Sequence, residues 1–394
     1  MPMKLTTIIL IALLFCSCKN EKTQSIITID VQAPNGHELK NLSEIATDIQ
    51  YIPLETNPKA LMRFVNYLKA TDEKYYINTV LELLCFDKTG KFLYKLDKQG
   101  RGPEEYAYLA DYDILPEKKL VMVLASSSGK LFLYNETDSG FQYIKKLDLK
   151  IRPQYCDFIP NQDNILLSFG ASTGENKYQC IVINQNGDTI LKRPNYFKFT
   201  RLSKVQMGFS SDNIINITND ILRIKGLLSD TMFTLTKEYD FVPYMIMNTG
   251  GKGVTPDFLS NIPAPVVDGG SPAAKFLQIS AILETDRYML HNIYFQKTGF
   301  WGVYDKTSGE THYFKTENLL KDDISGGINI EPKFCYDGIL YSWTDALTFK
   351  EYMSDNIPQN QGLKNPKRAA ELQKMAESIK EDDNHILIVI TPKK

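Results

Sequence analysis

The sequence predicts an all-β protein, a six-bladed β-propeller whose ring is closed by strands from its two chain ends. Three observations carry that prediction. From Ile26 to about Thr348 the chain is a succession of short runs rich in Tyr, Phe, Ile and Leu, broken by turn residues and almost free of helical periodicity. A strand–turn–strand unit recurs at about the length of one propeller blade. Residues 385–391 add an apolar strand at the extreme C-terminus that can complete a blade begun at the other end.

The first element in order is an export signal. Lys4 supplies a positive start, and Leu5 to Phe15 supply an apolar core of about eleven residues. As a helix that core covers only about 16 Å of a hydrocarbon layer about 30 Å thick, which disfavours a permanent span. The run Leu14-Phe15-Cys16-Ser17-Cys18 resembles a lipobox. Residues 1–17 are then the cleaved signal peptide, and Cys18 is the lipidated first residue, carrying acyl chains of the palmitate type. Residues 18–25 form a polar linker. Cys16 is a second acceptor thiol, disfavoured by the bulky Phe15 before it, and an ordinary secretory signal holding two cysteines is the alternative. Two or more acyl chains anchor stably, at about 0.8 kcal/mol per buried CH₂.

The net charge is −2, and about −3 once the signal and its Lys4 are removed. Such balance argues against a nucleic-acid partner. Beyond the lipid site stand Cys85, Cys156, Cys180 and Cys335, without a C-x-x-C pair or His-Cys clustering, so no metal is expected. Cys156 and Cys180 are the nearest pair for an extracytoplasmic disulfide, but each cysteine sits in an apolar run, where buried free thiols are the default.

The blade unit is legible in its turns. Phe86-Asp87-Lys88-Thr89-Gly90-Lys91-Phe92 reads as strand, polar turn and returning strand. Copies begin at Asn135, about 48 residues on, at Asn184, about 49 further, and at Asp305, with a weaker copy near Thr236. Asp or Asn initiates such a turn through its own backbone, and Gly supplies the positive φ on the way out. A period of 40 to 50 residues over residues 26–394 fits six blades, with a β-sandwich pair as the rival architecture.

Between the late blades and the closing strand, residues 365–380 read as one short helix. Pro366 suits its first turn, and Ala369, Leu372, Met375, Ala376 and Ile379 form an apolar stripe expected to pack across the rim. Residues 26–31 are the expected N-terminal counterpart of the closing strand.

Tyr51-Ile52-Pro53-Leu54-Glu55-Thr56, Phe86-Asp87-x-x-Gly90-Lys91-Phe92 and Gly100-Arg101-Gly102-Pro103-Glu104-Glu105-Tyr106 together resemble the six-bladed β-propeller lipoproteins abundant in Bacteroides-type bacteria. The resemblance runs from about Leu42 to Pro392. Asp382-Asp383-Asn384-His385 matches an Asp-Asn-Pro of that family, with His385 in place of Pro. At Glu104 the family often has Gly; a positive φ there strains Glu104. The resemblance implies the fold and little about activity, because members mostly lack an assigned reaction and related propellers include binding modules, lyases and hydrolases.

Candidate site residues follow from polar clusters. Arg101 offers a planar grip on a carboxylate or phosphate, Glu105 accepts hydroxyls and Tyr106 offers a stacking face. The competing reading makes this element a sharp turn braced by an Arg101–Glu105 pair. Arg287 and His291 form a second group that can point into the central funnel; the competing reading makes His291 a packing residue. His312, near a turn, is expected to be solvated. Asp322 and Asp323 before Gly326 and Gly327 read as a solvated turn rather than a calcium loop. Residues 248–274 read as an insertion over one face. Trp301 and Trp343 are either sugar platforms or packing residues. Nucleophile-elbow, zincin and Walker motifs are absent, and no cofactor is expected.

The expected function is a ligand-binding or protein-interaction module for a glycan, a peptide or an envelope protein, held by membrane lipid through Cys18 at the outer membrane, on its periplasmic or surface side. The alternative is a propeller lyase or hydrolase of polysaccharide or peptide working in the central funnel. An accessory role in an outer-membrane complex is a third.

Overall fold

The computed structural model describes residues 26–171, 174–203, 209, 212–263, 271–356 and 362–394. Six antiparallel sheets of four strands, one of them extended by a fifth parallel strand, follow one another around a central axis. Blade 1 runs outward from Tyr67–Ala70 through Lys74–Asn78 and Leu83–Asp87 to Phe92–Leu96. The innermost strands of the next four blades are Asp111–Leu115, Tyr155–Phe158, Asn213–Thr218 and Gln278–Glu284, and that of blade 6 is Phe334–Tyr336. The all-β, six-bladed expectation therefore holds.

A blade is a sheet with two apolar faces, and each face is buried on a neighbour. Tyr76 and Tyr94 of blade 1 meet Tyr112 and Phe132 of blade 2, while Ile77 and Phe86 on the opposite face meet Tyr341 and Leu387 of blade 6. Separate apolar clusters fill the other interfaces in the same way. Cys85, Cys156 and Cys180 lie buried in these clusters, Cys335 is half-buried, and all four are free thiols.

The recurring turn is the hairpin between third and fourth strands. Asp87 Oδ1 accepts the N–H groups of Thr89 and Lys91 at 2.8 and 3.0 Å, and Asn184 Oδ1 accepts those of Asn186 and Asp188 at 2.9 and 3.0 Å. Gly90 has φ +87°, and a Cβ there would lie 2.3 Å from the Pro53 carbonyl oxygen, so glycine is required twice over. The weaker copy is also a blade hairpin, in which Thr236 Oγ1 accepts the Asp240 N–H at 3.1 Å.

Ring closure by strands from both ends of the chain holds, but the N-terminal strand is not the expected one. Ile386–Pro392 is flanked by Ile339–Thr344 on one side and by Ala46–Pro53 on the other, with Tyr51 opposite Ile388. Ile27–Asp30, inside the stretch expected to close the ring, instead adds in parallel to Phe241–Asn248 at the outer edge of blade 4. Burial explains the difference. Ala46–Pro53 buries Ala46, Ile49, Tyr51 and Ile52 on both faces, as a strand between two blades must. Ile27–Asp30 buries Ile29 alone, which suits an edge.

The C-terminal helix forms as Pro366–Ser378, and it does not pack alone. A second helix, Ala346–Asp355, opens where Asp345 Oδ1 accepts the Thr348 N–H at 2.8 Å. Phe349 and Met353 of that helix share a core with Leu372 and Ala376 of the first and with Ile388 and Ile390 beneath. An ion pair from Arg368 to Asp48 fastens the pair to Ala46–Pro53, the outermost strand of blade 6. Within the stretch 248–274, Pro256–Ser260 is helical, and Phe258, Leu259 and Ile262 build a small satellite core; residues 264–270 lie outside the described residues.

Candidate functional site

The innermost strands converge on an axial cavity of about 470 Å³, walled by residues from blades 1 to 6. Period-two alternation decides what faces it. In blade 1, Leu68 and Ala70 turn into the sheet packing, leaving Tyr67 and Lys69 for the other face. In blade 2, Tyr112 is buried toward blade 1 and donates its hydroxyl to the Tyr76 carbonyl at 2.7 Å, so Asp111 and Asp113 emerge opposite it. In blade 3, Cys156 and Phe158 enter the core between blades 2 and 3, leaving Tyr155 and Asp157 on the other face.

These side chains assemble a buried charge cluster. Lys69 Nζ lies 2.6 Å from Asp113 Oδ1 and 3.3 Å from Asp157 Oδ1. Asp113 Oδ2 also accepts the Phe158 N–H at 2.6 Å, and Asp111 Oδ2 accepts the Cys156 N–H at 2.8 Å. The two aspartates of blade 2 thus satisfy N–H groups on the inner edge of blade 3, which has no strand beyond it. Burial, with the neighbouring Asp157 charge, pushes the Asp111 carboxyl up to about 8. Burial raises Asp157 to about 6 against the opposing pull of Lys69. Burial opposes the Lys69 charge too, but Asp113, Asp157 and Asp111 outweigh it and hold that ammonium well above its ordinary value. Groups so perturbed in a cleft mark a functional candidate.

The rest of the wall is aromatic, amide and aliphatic, the last chiefly Ile214, Ile215 and Ile217 of blade 4 and Ala281, Ile282 and Leu283 of blade 5. Tyr67 is 41% exposed, and Tyr155, Tyr336 and Trp343 are half-buried. Asn213 and Asn216 come from blade 4. Asn213 Nδ2 donates to the Phe169 carbonyl at 2.8 Å, whereas Asn216 Nδ2 is buried without a partner.

Arg101, Glu105, Tyr106, Arg287 and His291 lie elsewhere: none of them borders the axial cavity. Arg101 is exposed on a turn and does not pair with Glu105, whose Oε2 instead accepts the Gly102 N–H at 2.7 Å. Gly100 is fixed by the same carboxylate, since a Cβ there would meet Glu105 Oε2 at 1.9 Å. Tyr106 is 1% exposed, donates to the Leu96 carbonyl and packs edge-on to Phe132, so its ring offers no stacking face. Glu104 does not take a positive φ, and the anticipated strain is absent. Arg287 grips Asp305 Oδ2 through Nε at 2.9 Å and Nη2 at 2.7 Å. His291 is buried inside blade 5 against Gly302, and burial lowers it to about 4, so it is neutral at physiological pH.

Asp322 is buried rather than solvated. Its carboxylate takes the N–H groups of Ile324, Ser325 and Gly327 and the hydroxyls of Ser325 and Tyr51, which occupies it fully as a loop brace. Of the two tryptophans, Trp301 is stacked on Phe314 at 6.1 Å and Trp343 borders the cavity. Cys18 and the signal segment lie outside the described residues.

Sequence reasoning passed over the charge cluster, although a signal was present. Lys69, Asp113 and Asp157 are spaced 44 and 44 residues apart, so they hold the same position in three consecutive blades. Aligning blades on their innermost strands rather than on their turns would have found them.

A family model described as "Domain of unknown function (DUF4934)" matches residues 26–391. No curated protein matches the chain. Among solved structures, a Bacteroides fragilis protein described as exported superposes with a TM-score of 0.67 at 19% identity, covering 93% of this chain and 99% of its own. A DUF4221 family member from Bacteroides vulgatus superposes with a TM-score of 0.52 at 11% identity, covering 88% and 97%. At those identities the likeness establishes the fold. Among the described residues no helix is long and apolar enough to cross a membrane.

Proposed function

The chain belongs to the DUF4934 family, and from that premise we propose that it is an extracytoplasmic binding module whose ligand occupies the axial cavity. The observation that carries the reading is the cavity itself. Its volume of about 470 Å³ falls within the roughly 300–1,000 Å³ typical of small-ligand sites. Its wall combines five partly exposed aromatic rings and several aliphatic side chains with amides and a few buried charges, the composition that binds a molecule with one apolar face and several polar groups. A sugar unit or a peptide side chain has that character. The export signal and the lipobox-like Ser17-Cys18 support a tether at the cell envelope.

The test is a glycan and peptide array probed with the full chain and with Tyr67→Ala and Trp343→Ala. Retention of a ligand by the parent, weakened at least tenfold in both variants without a comparable fall in melting temperature, supports the reading. No retention, or retention indifferent to both substitutions, refutes it. The tether is tested separately: labelled palmitate incorporated by the parent should be absent from Cys18→Ala, and equal labelling of both refutes lipidation there.

A second reading, an enzyme of the same cavity, is favoured by one observation. Asp111 and Asp157 both line the cavity, and burial raises both carboxyls, which suits one of them to hold a proton as a general acid does. Turnover of an array ligand, abolished in Asp157→Asn, would select it.

A further inference from the structure

We propose that the axial cavity selects an organic ammonium ligand, a primary amine on a small hydroxyl- or carbonyl-bearing molecule, over a neutral molecule of the same shape. This rests on the cavity being the binding site. The first support is charge imbalance: Asp111, Asp113 and Asp157 face a single shared cation, Lys69. Lys69 and the Phe158 N–H occupy Asp113, and Asp157 shares Lys69. Asp111 accepts the Cys156 N–H through one oxygen, and no side-chain donor among the described residues is bonded to the other. The second lysine on the wall, Lys333, is turned to the Trp343 carbonyl, to which its Nζ donates at 2.8 Å.

The second support is aromatic. Tyr67 and Tyr155 lie close enough to Asp111 for its charge to raise both phenols, after burial as the larger cause. Tyr336 and Trp343 add rings from blade 6. Ring faces attract cations, and a carboxylate among rings suits an ammonium better than a neutral hydroxyl. The third support is independent of charge. Asn216, 9% exposed and on the cavity wall, has an amide nitrogen without a partner, a donor available to an oxygen on the same ligand.

Binding is then linked to pH. The groups facing Asp111 are Lys69 and Tyr67 from blade 1, Asp157, Tyr155 and the Cys156 amide from blade 3, and the backbone amide of Tyr112 on its own strand; Asp212 faces Tyr155. An ammonium needs Asp111 ionised, so binding releases a proton, and affinity climbs by up to about tenfold per pH unit until that carboxyl has titrated near 8.

The test is calorimetric titration of the full chain at pH 6, 7 and 8 with two matched pairs: 6-amino-6-deoxy-D-glucose against D-glucose, and 5-aminopentan-1-ol against pentane-1,5-diol. The expected result is an amine bound roughly 10- to 100-fold more tightly than its neutral partner at pH 8. The preference should widen from pH 6 to pH 8 with proton release, and shrink in Asp111→Asn, whose amide oxygen can still accept the Cys156 N–H. The parent's pH profile carries the test even where that variant folds poorly. Equal or tighter binding of the neutral partner, or a preference independent of pH, overturns the charge selection while leaving the cavity as the binding site. Binding of neither pair overturns the inference, and the array then decides the broader reading alone.

Discussion

Replacing Lys69 by methionine, which keeps an unbranched side chain one atom shorter and removes its charge, should destabilise the protein more as pH rises. Among the described residues Lys69 is the one cation within 4 Å of Asp113 and Asp157, at 2.6 and 3.3 Å. Removing one partner from a buried ion pair costs about 3–5 kcal/mol, because the remaining charge is stranded. The lysine's own pKa lies above its unfolded value, so its pairing is fully present across pH 5–8 and does not shape that range. The carboxyls shape it. Asp111 and Asp157 titrate higher folded than unfolded, so stability falls as pH rises from about 4 toward their folded values of about 8 and about 6. Without Lys69 those values move higher still, and each carboxyl held protonated adds about 1.4 kcal/mol per pH unit. Urea and thermal unfolding should therefore show a loss of about 3–5 kcal/mol at pH 8, shrinking to about 1–2 kcal/mol at pH 5, where protonation relieves the stranded charge. At about 2 °C per kcal/mol for a chain of this size, the melting temperature at pH 8 drops by roughly 6–10 °C. A loss larger at pH 5 than at pH 8, or none at pH 8, would show that the cluster is not a buried, lysine-neutralised unit.

Asp111→Asn should flatten the parent's fall in stability between pH 4 and pH 8 by up to about 1.4 kcal/mol per pH unit and leave the variant more stable at pH 8, read from melts across that range. Gly100→Ala forces a Cβ onto the Glu105 carboxylate and should cost about 1–3 kcal/mol; adding Glu105→Ala should recover part of the loss in a double-mutant cycle. Asp322→Ala strands five donors, including the Tyr51 hydroxyl, and should cost about 3 kcal/mol or more by urea unfolding. Arg101→Ala, on an exposed turn away from the cavity, should change stability by less than about 0.5 kcal/mol and leave array binding unchanged.

The architecture was legible because propeller blades leave two strong marks in a sequence. Their hairpin turns demand Asp, Asn or Gly at fixed offsets, as at Asp87 and Asn184, and their strands are apolar on both faces, as at Ile386–Pro392. The N-terminal closing strand differs from the expected one because residues 26–31 and 46–53 are comparably apolar in composition. Both lie at a sheet edge, and only their placement shows that 46–53 is covered on both faces. The helix Ala346–Asp355 was missed because it continues an apolar strand pattern and is stabilised by docking on blade 6. The sequence draws attention away from the cavity for a related reason. Arg101, Glu105 and Tyr106 attract notice as a dense polar motif, but their chemistry is spent on one turn and one packing contact. The cavity draws on single residues separated by whole blades, and a local motif search cannot register a pattern with a period of 44 residues.

The central claim is that ligand occupies the axial cavity, and the two tryptophans allow a direct measurement. Trp301 is buried against Phe314, whereas Trp343 borders the cavity. In the full chain carrying Trp301→Phe, emission under selective tryptophan excitation therefore comes from Trp343 alone. Titrating that protein with a retained array ligand should shift the emission saturably and protect it from acrylamide quenching, with both effects lost in Tyr67→Ala. Ligand retention with Trp343 emission and quenching unchanged would place the ligand elsewhere and contradict the account.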